Sequence, residues 1–397
     1  MSSAVPQSIP LGSSSIPNLD QHIPVLDGFR GFAVILVLLL HWDPFSHAGG
    51  VDIPYYLRFF RIGWIGVELF FVLSGFLITG ILLKTKEHPR YFLNFYARRA
   101  LRIFPLYYLV LIVALIILPL FHWYEPSEFG SFSSWGWYSY WVFLSNFAMG
   151  IGYAKHNYLV VTWSLSMEEQ FYLLWPLLMF RYSPTAIFRF GLAYLCLIPF
   201  ARAFMLYGLG NSVLMVDYLT PVRLDSIVAG SILQIWLRTA SDLKISQLCK
   251  SARILFPFSL FGLLIVLFIQ EYYLIIDGRY IGQSKVNIFL GISVVALFSI
   301  SSIILVLSST KESILYKIFT SKLLCFFGAL SYGIYLTHEM IYKVLKDLIY
   351  EDYLSTFDPF SQSIVMIFLA GGLVFIFTTT SYYCFEQPIL RLKKYFK

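Results

Sequence analysis

Ten apolar runs of about the length a helix needs to cross a bilayer, roughly 17 to 25 residues, set the choice of fold for this chain. They fall at residues 28–42, 64–83, 103–121, 165–180, 187–206, 221–237, 254–271, 288–307, 324–342 and 364–385. A soluble domain carries about a quarter of its residues as Asp, Glu, Lys or Arg. Here 58% of 397 residues are hydrophobic and only 13% are charged, which excludes that class. The sequence predicts an all-α polytopic membrane protein of about ten transmembrane helices, integral to the cell (inner or cytoplasmic) membrane. One more stretch, residues 135–149, is aromatic but short and broken by polar residues, so it reads as an interfacial or re-entrant segment.

Charge then orients the bundle, because Lys and Arg gather in short cytoplasmic loops. With ten helices and the N-terminus inside, nineteen basic residues fall in the inner loops and C-terminal end, from Lys84, Lys86 and Arg90 to Lys393, Lys394 and Lys397. Only six, Arg58, Arg61, Lys155, Arg279, Lys285 and Lys346, fall outside. Both termini are therefore expected in the cytoplasm. A crossing by residues 135–149 would invert everything after it. The same bias accounts for the net charge of +7 without a nucleic-acid partner.

Residues 1–24, rich in Ser and Pro, lack the basic cluster and short apolar run of a signal peptide and read as a disordered polar tail. Residues 25–390 then form one transmembrane domain and residues 391–397 a basic cytoplasmic tail, with no soluble catalytic domain expected to follow. Cys196, Cys249, Cys325 and Cys384 are scattered, three in expected helices and one in an inner loop, which fits neither a disulfide framework nor a zinc site. No Walker loop, Rossmann glycine run, zinc-protease helix or nucleophile elbow is present, so neither a metal nor nucleotide hydrolysis is expected.

Ionisable side chains at bilayer depth are costly, and each one is a functional-site hypothesis. Arg30 and His41 stand eleven residues apart in the first run, about three helical turns, which puts them on one face about 16 Å apart along the axis. A neutral imidazole at His41 can serve as general base or as nucleophile. Arg30, at the other end, can hold an anion or simply snorkel at the boundary. Arg98, Arg99 and Arg102 cluster just before the third run; Arg99 and Arg102 share a helix face, a geometry that grips phosphate or anchors topology. Glu68 in the second run and Glu168 and Glu169 in the fourth lie near the outer level, where a carboxylate can orient an imidazole. Glu168 and Glu169 point about 100° apart, so at most one faces the path of His41. Arg223 and Asp225 open the sixth run. The ninth holds Ser331, Tyr332, Tyr335 and His338, the last read as a packed histidine bonded to a neighbouring helix.

Seven blocks in order, LDGFRGFAVILVLLLH, GVELFFVLSGFLIT, RRALRIFPLYY, TWSLSMEEQFYLLWP, RLDSIVAG, LSYGIYLTH and FEQP, resemble the membrane acyltransferase-3 family over residues 26–388. The resemblance implies a ten-helix membrane domain that transfers acyl groups, commonly acetyl from acetyl-CoA, to hydroxyls of surface polysaccharides, lipooligosaccharides, peptidoglycan or secondary metabolites. It implies further that Arg30 and His41 are the basic residue and histidine of the family's first helix, and Arg99 and Arg102 its R-x-x-R pair. The family's glutamate after W-S-L-S maps onto Glu168 or Glu169, and its S-Y-G stretch onto Ser331, Tyr332 and Gly333. The tryptophan often found before the histidine of helix 9 is Thr337 here.

Put together, these readings predict a cofactor-binding set of Arg30, Arg99 and Arg102 for an acyl-CoA donor, acetyl-CoA first. His41 with Glu168 or Glu169 forms the catalytic set, and Glu68, Ser331 and Tyr332 the substrate-binding set. The expected partners are acyl-CoA, a carbohydrate or glycolipid acceptor and membrane lipids. The rival class is a transporter that exports a glycan or acylated small molecule without chemistry.

Overall fold

A computed structural model describes residues 16–42, 62–121, 134–153, 157–277, 285–349, 353–354 and 357–396. Among them every regular element is helical, and the chain is an all-α polytopic membrane protein. Among the described residues its main helices are α1 (Pro24–His41), α2 (Ile65–Thr85), α3 (Tyr91–Ile112), α4 (Ser134–Trp141), α5 (Ser145–Gly150), α6 (Thr162–Arg181), α7 (Pro184–Ala203), α8 (Val213–Tyr218), α9 (Asp225–Thr239), α10 (Asp242–Asp277), α11 (Ile292–Leu307), α12 (Lys322–Ile349) and α13 (Pro359–Ser381). Each of the ten expected runs lies on one of them.

Among the described residues, seven helices are long and apolar enough to cross a membrane: α1, α2, α3, α7, α10, α11 and α13 with their flanking turns. The other three expected spans fall short for identifiable reasons. Helix α9 has only 15 residues, α6 carries Glu168, Glu169 and Gln170, and α12 carries His338, Glu339, Lys343, Lys346 and Asp347. Of these groups His338 and Glu339 are buried within the protein and Glu168, Glu169 and Gln170 partly so, whereas Asp347 is exposed. The periphery differs: 17% of the most apolar stretch of α10 is buried against 78% in α2. Helix α10 also begins at Asp242, earlier than expected, and takes Cys249 from an inner loop into a helix. That cysteine is buried and all four are free thiols.

The segment expected to be interfacial or re-entrant folds as α4 and α5, of 8 and 6 residues, neither long enough to cross. They part at Phe143, whose φ of 55° is strained for a side chain of its size. Stacking of its ring on Tyr107, centroids 4.4 Å apart, and a hydrogen bond from Gln170 to its carbonyl at 2.8 Å hold it there.

Two helix pairs form the centre, α1 with α12 and α2 with α9. In lipid such pairs depend on close packing of small residues. A Cβ on Gly75 would lie 1.9 Å from the Ile227 carbonyl oxygen, and one on Gly230 1.9 Å from that of Val72. Each glycine thus lets the opposite backbone approach. Gly75→Ala is expected to destabilise the bundle by about 1–3 kcal/mol through overpacking. Gly372→Ala, where an added Cβ meets nothing within 4 Å among the described residues, is expected to leave thermal unfolding in detergent unchanged.

Residues 1–15 of the expected tail lie outside the described residues, as do Arg58, Arg61, Lys155 and Arg279 of the outer loops. Ile16, Leu19 and Ile23 pack onto the core. Asp20 accepts a 2.9 Å hydrogen bond from Arg238 at the end of α9 and lies 4.0 Å from Lys84 at the end of α2. That hydrogen bond and the guanidinium charge hold its carboxyl below the ordinary carboxylate range. The turn Arg391–Tyr395 packs on α3.

Candidate functional site

The charged residues picked out in the sequence fall into three groups. The first lines a cavity of about 140 Å³ enclosed by five helices. Arg30 enters it from α1, Ser74 from α2, Arg99 and Arg102 from α3, Glu168 and Tyr172 from α6, and Ser331, Tyr332 and Tyr335 from α12. The three-residue spacing of Arg99 and Arg102 is what points both inward. Arg30 is also held by Asp27, one turn back, at 2.8 Å. Arg99 lies over the Tyr172 ring, 5.2 Å from its centroid, and Glu168 accepts a 2.6 Å hydrogen bond from Ser74. Three guanidinium groups facing one carboxylate leave the cavity rich in donors suited to an anion.

Helical geometry separates Glu168 from Glu169 as expected. Glu169 is not part of the cavity wall, and its Oε1 has no hydrogen-bond partner among the described residues. Ser331 donates to the Gly328 carbonyl at 2.9 Å and Tyr332 to that of Ile103 at 2.7 Å. Both hydroxyl protons are thereby committed to backbone, although both residues line the cavity.

The second group sits at the other end of α1. His41 is its last residue, and the ring donates from Nδ1 to the Val37 carbonyl at 2.9 Å, which leaves Nε2 with the lone pair. The His338 ring packs edge-on against it, centroids 4.8 Å apart. His338 is fully buried and donates to the carbonyls of Tyr335 and Ile334 at 2.7 and 3.0 Å. Its neighbour Glu339, to which the sequence reading gave no role, points Oε2 to within 3.8 Å of His41 Nε2. An acid and Lys343 four residues on, in the same apolar helix, were the signal that would have found it. Thr337, in the place of the family's tryptophan, is buried and donates to the Gly333 carbonyl at 2.8 Å. The two groups are linked by Tyr335, which walls the cavity and lies 6.0 Å, ring to ring, from His338.

The third group ties helices together. Glu68 is fully buried away from the cavity; it accepts from Arg223 and from Ser226, each at 2.5 Å. Arg223 also binds Asp217 at 3.0 Å and lies over the Trp163 ring at 5.7 Å. Close by, fully buried Arg202 binds Asp225 at 3.0 Å and Ser293 at 2.8 Å, crossing from α7 to α9 and α11. Both Glu68 oxygens are engaged within the protein.

Fold and site together define a multi-pass integral membrane protein with a cationic cavity toward one end of α1 and a histidine pair, one ring from α1 and one from α12, at the other. A family model described as an acyltransferase domain matches residues 23–383, which include every residue of both groups. The chain belongs to that family, the acyltransferase-3 proteins. It is similar to the peptidoglycan O-acetyltransferase OatA of Listeria monocytogenes, 30% identical over 334 residues, or 81% of this chain and 49% of that protein. It is similar also to the O-acetyltransferase OatA of Staphylococcus aureus, 28% identical over 337 residues, or 81% and 51%. The chain thus spans about half the length of the curated relatives it matches. No solved structure matches it.

Proposed function

We propose that the chain is an O-acyltransferase that moves an acyl group, acetyl first, from cytoplasmic acyl-CoA to a hydroxyl of an extracytoplasmic or membrane-associated glycan. The observation that carries the reading is the convergence of Arg30, Arg99, Arg102 and Glu168 on one cavity, with His41 beyond the Tyr335 and His338 rings. The names of the relatives support the glycan acceptor and the acetyl group. The charge bias of the loops supports a cytoplasmic position for the arginine end.

In this reading the CoA phosphates meet the arginines, while the thin pantetheine arm runs toward His41 and leaves the charged nucleotide outside the low-dielectric core. His41 Nε2 takes the proton of the acceptor hydroxyl as its oxygen attacks the thioester carbon. The C–O bond forms, the C–S bond breaks, and the CoA thiolate takes the proton back from the imidazolium. An acyl-histidine that forms first and then passes its acyl group to the hydroxyl uses the same nitrogen and gives the same products.

Purified protein given radiolabelled acetyl-CoA and native membranes as acceptor tests this directly. Release of CoA with label in a glycan fraction is the expected result; label that crosses a proteoliposome without release of CoA belongs to a transporter. Arg99→Ala and Arg102→Ala should each raise the dissociation constant for acetyl-CoA about tenfold or more, because each loses a charge-assisted contact to phosphate. Unchanged titrations would return both arginines to the role of topology anchors.

A further inference from the structure

Glu339 combines three features that packing alone does not require. It is 7% exposed, at a depth where a carboxylate is costly to keep. Lys343, one turn on, donates to Oε1 at 2.5 Å. The second oxygen, Oε2, has no hydrogen-bond partner among the described residues, yet it lies 3.8 Å from His41 Nε2. At that distance the two atoms are not bonded to each other. Since Nδ1 of His41 donates to Val37, both facing atoms are acceptors, with lone pairs turned to the same small space. His41 keeps about a fifth of its side chain exposed, so the space is open to an incoming group.

We propose that Glu339 is the acceptor-positioning residue of the transfer reaction. The proposal rests on the reading of His41 as the group that takes the acceptor's proton. Two acceptor atoms 3.8 Å apart fit two neighbouring donors on one molecule, as a sugar presents them: the reacting hydroxyl gives its hydrogen bond to Nε2, and an adjacent hydroxyl or amide N–H gives its own to Oε2. One water can bridge the two atoms with its two O–H groups, and a sugar displaces it by bringing two donors held on one ring. Glu339 therefore gives a glycan a second anchor beside the reacting hydroxyl, and its loss favours water over glycan at Nε2. Once Nε2 holds the proton, Oε2 faces an imidazolium across the same gap and stabilises it. His338, buried against the His41 ring and tied to two carbonyls, fixes the ring plane that aims Nε2 at the site.

Membranes that carry the native acceptor, the protein and radiolabelled acetyl-CoA give two rates, acetyl incorporated into glycan and CoA released. Wild type should couple them closely. Glu339→Gln should lower incorporation at least tenfold and lower the ratio of incorporation to CoA release, with the half-saturating acetyl-CoA concentration unchanged. Glu339→Asp, which keeps the charge, should recover part of the ratio, and thermal unfolding in detergent shows that each variant is folded. Wild-type incorporation and coupling in Glu339→Gln overturn the proposal, and so does a parallel fall of both rates at constant ratio, which is the mark of a structural role. His41→Ala in the same membranes separates the two levels. A dead His41→Ala beside an unaffected Glu339→Gln removes only this proposal, whereas an active His41→Ala removes the acyl-transfer reading and this proposal with it.

Discussion

His41→Ala is expected to lower acyl transfer by at least about a hundredfold, the lower bound for loss of a positioned general base. If His41 carries the acyl group covalently, the loss is complete. The variant should insert and fold as wild type does, because His41 is the last residue of α1 and its hydrogen bond among the described residues is the local one to Val37. Its ring does brace His338, so a modest fall in thermal stability is consistent with the loss of one aromatic contact. The check is the membrane assay with radiolabelled acetyl-CoA beside a titration of acetyl-CoA binding. Binding should be retained, since the arginine cavity lies at the other end of the helix. Transfer near the wild-type rate would remove His41 from the mechanism.

Glu68→Ala should have the largest effect on stability, about 3–5 kcal/mol, the usual cost of leaving one partner of a buried ion pair uncompensated. Glu68 receives two hydrogen bonds that join α2 to α9 and to the turn before it. Its removal leaves Arg223, among the described residues, with one ion pair, to Asp217. The result expected is low yield and early unfolding in detergent. The triple variant Glu68→Leu, Arg223→Met and Asp217→Asn should recover much of the loss, because it removes the connected buried charges together. No recovery would mean that the pair acts through something other than mutual compensation. The charge network bounds the same pair of helices that Gly75 and Gly230 hold in close contact, so its failure reaches Ser74 and the cavity without any change in the arginines.

Much of the site was legible from spacing. Offsets of eleven positions from Arg30 to His41, three from Arg99 to Arg102 and one from Glu168 to Glu169 each fix a direction on a helix, and these directions survive folding because the helix is a rigid ruler. Arg99 and Arg102 do face one cavity, and only one of the two glutamates joins them. Partners across helices were not legible. Nothing in the local sequence says that Glu68 meets Arg223 or that Glu339 meets His41, since both pairs lie far apart in the chain. The positions of the polar helices were found, but their polarity placed α6, α9 and α12 below the composition of an ordinary span. Glu168, Asp225 and His338 on them pack against neighbouring helices that a one-helix reading does not include, while Leu173, Leu174 and Leu177 of α6 stay exposed.

The sequence by itself determined the class of the molecule: its apolar runs require a helical membrane domain, its basic loops favour one orientation, and its ordered motifs place it beside the acyltransferase-3 proteins. Tertiary structure decided which ionisable groups share a space. It gathered three arginines and Glu168 into one cavity, turned Glu68 into a partner of Arg223, and brought Glu339 to the nitrogen of His41. The physical reason is that helix formation depends on local backbone and side-chain chemistry, whereas the pairing of charges across helices depends on which faces pack. That packing is set by glycine contacts and by the cost of every buried charge left alone.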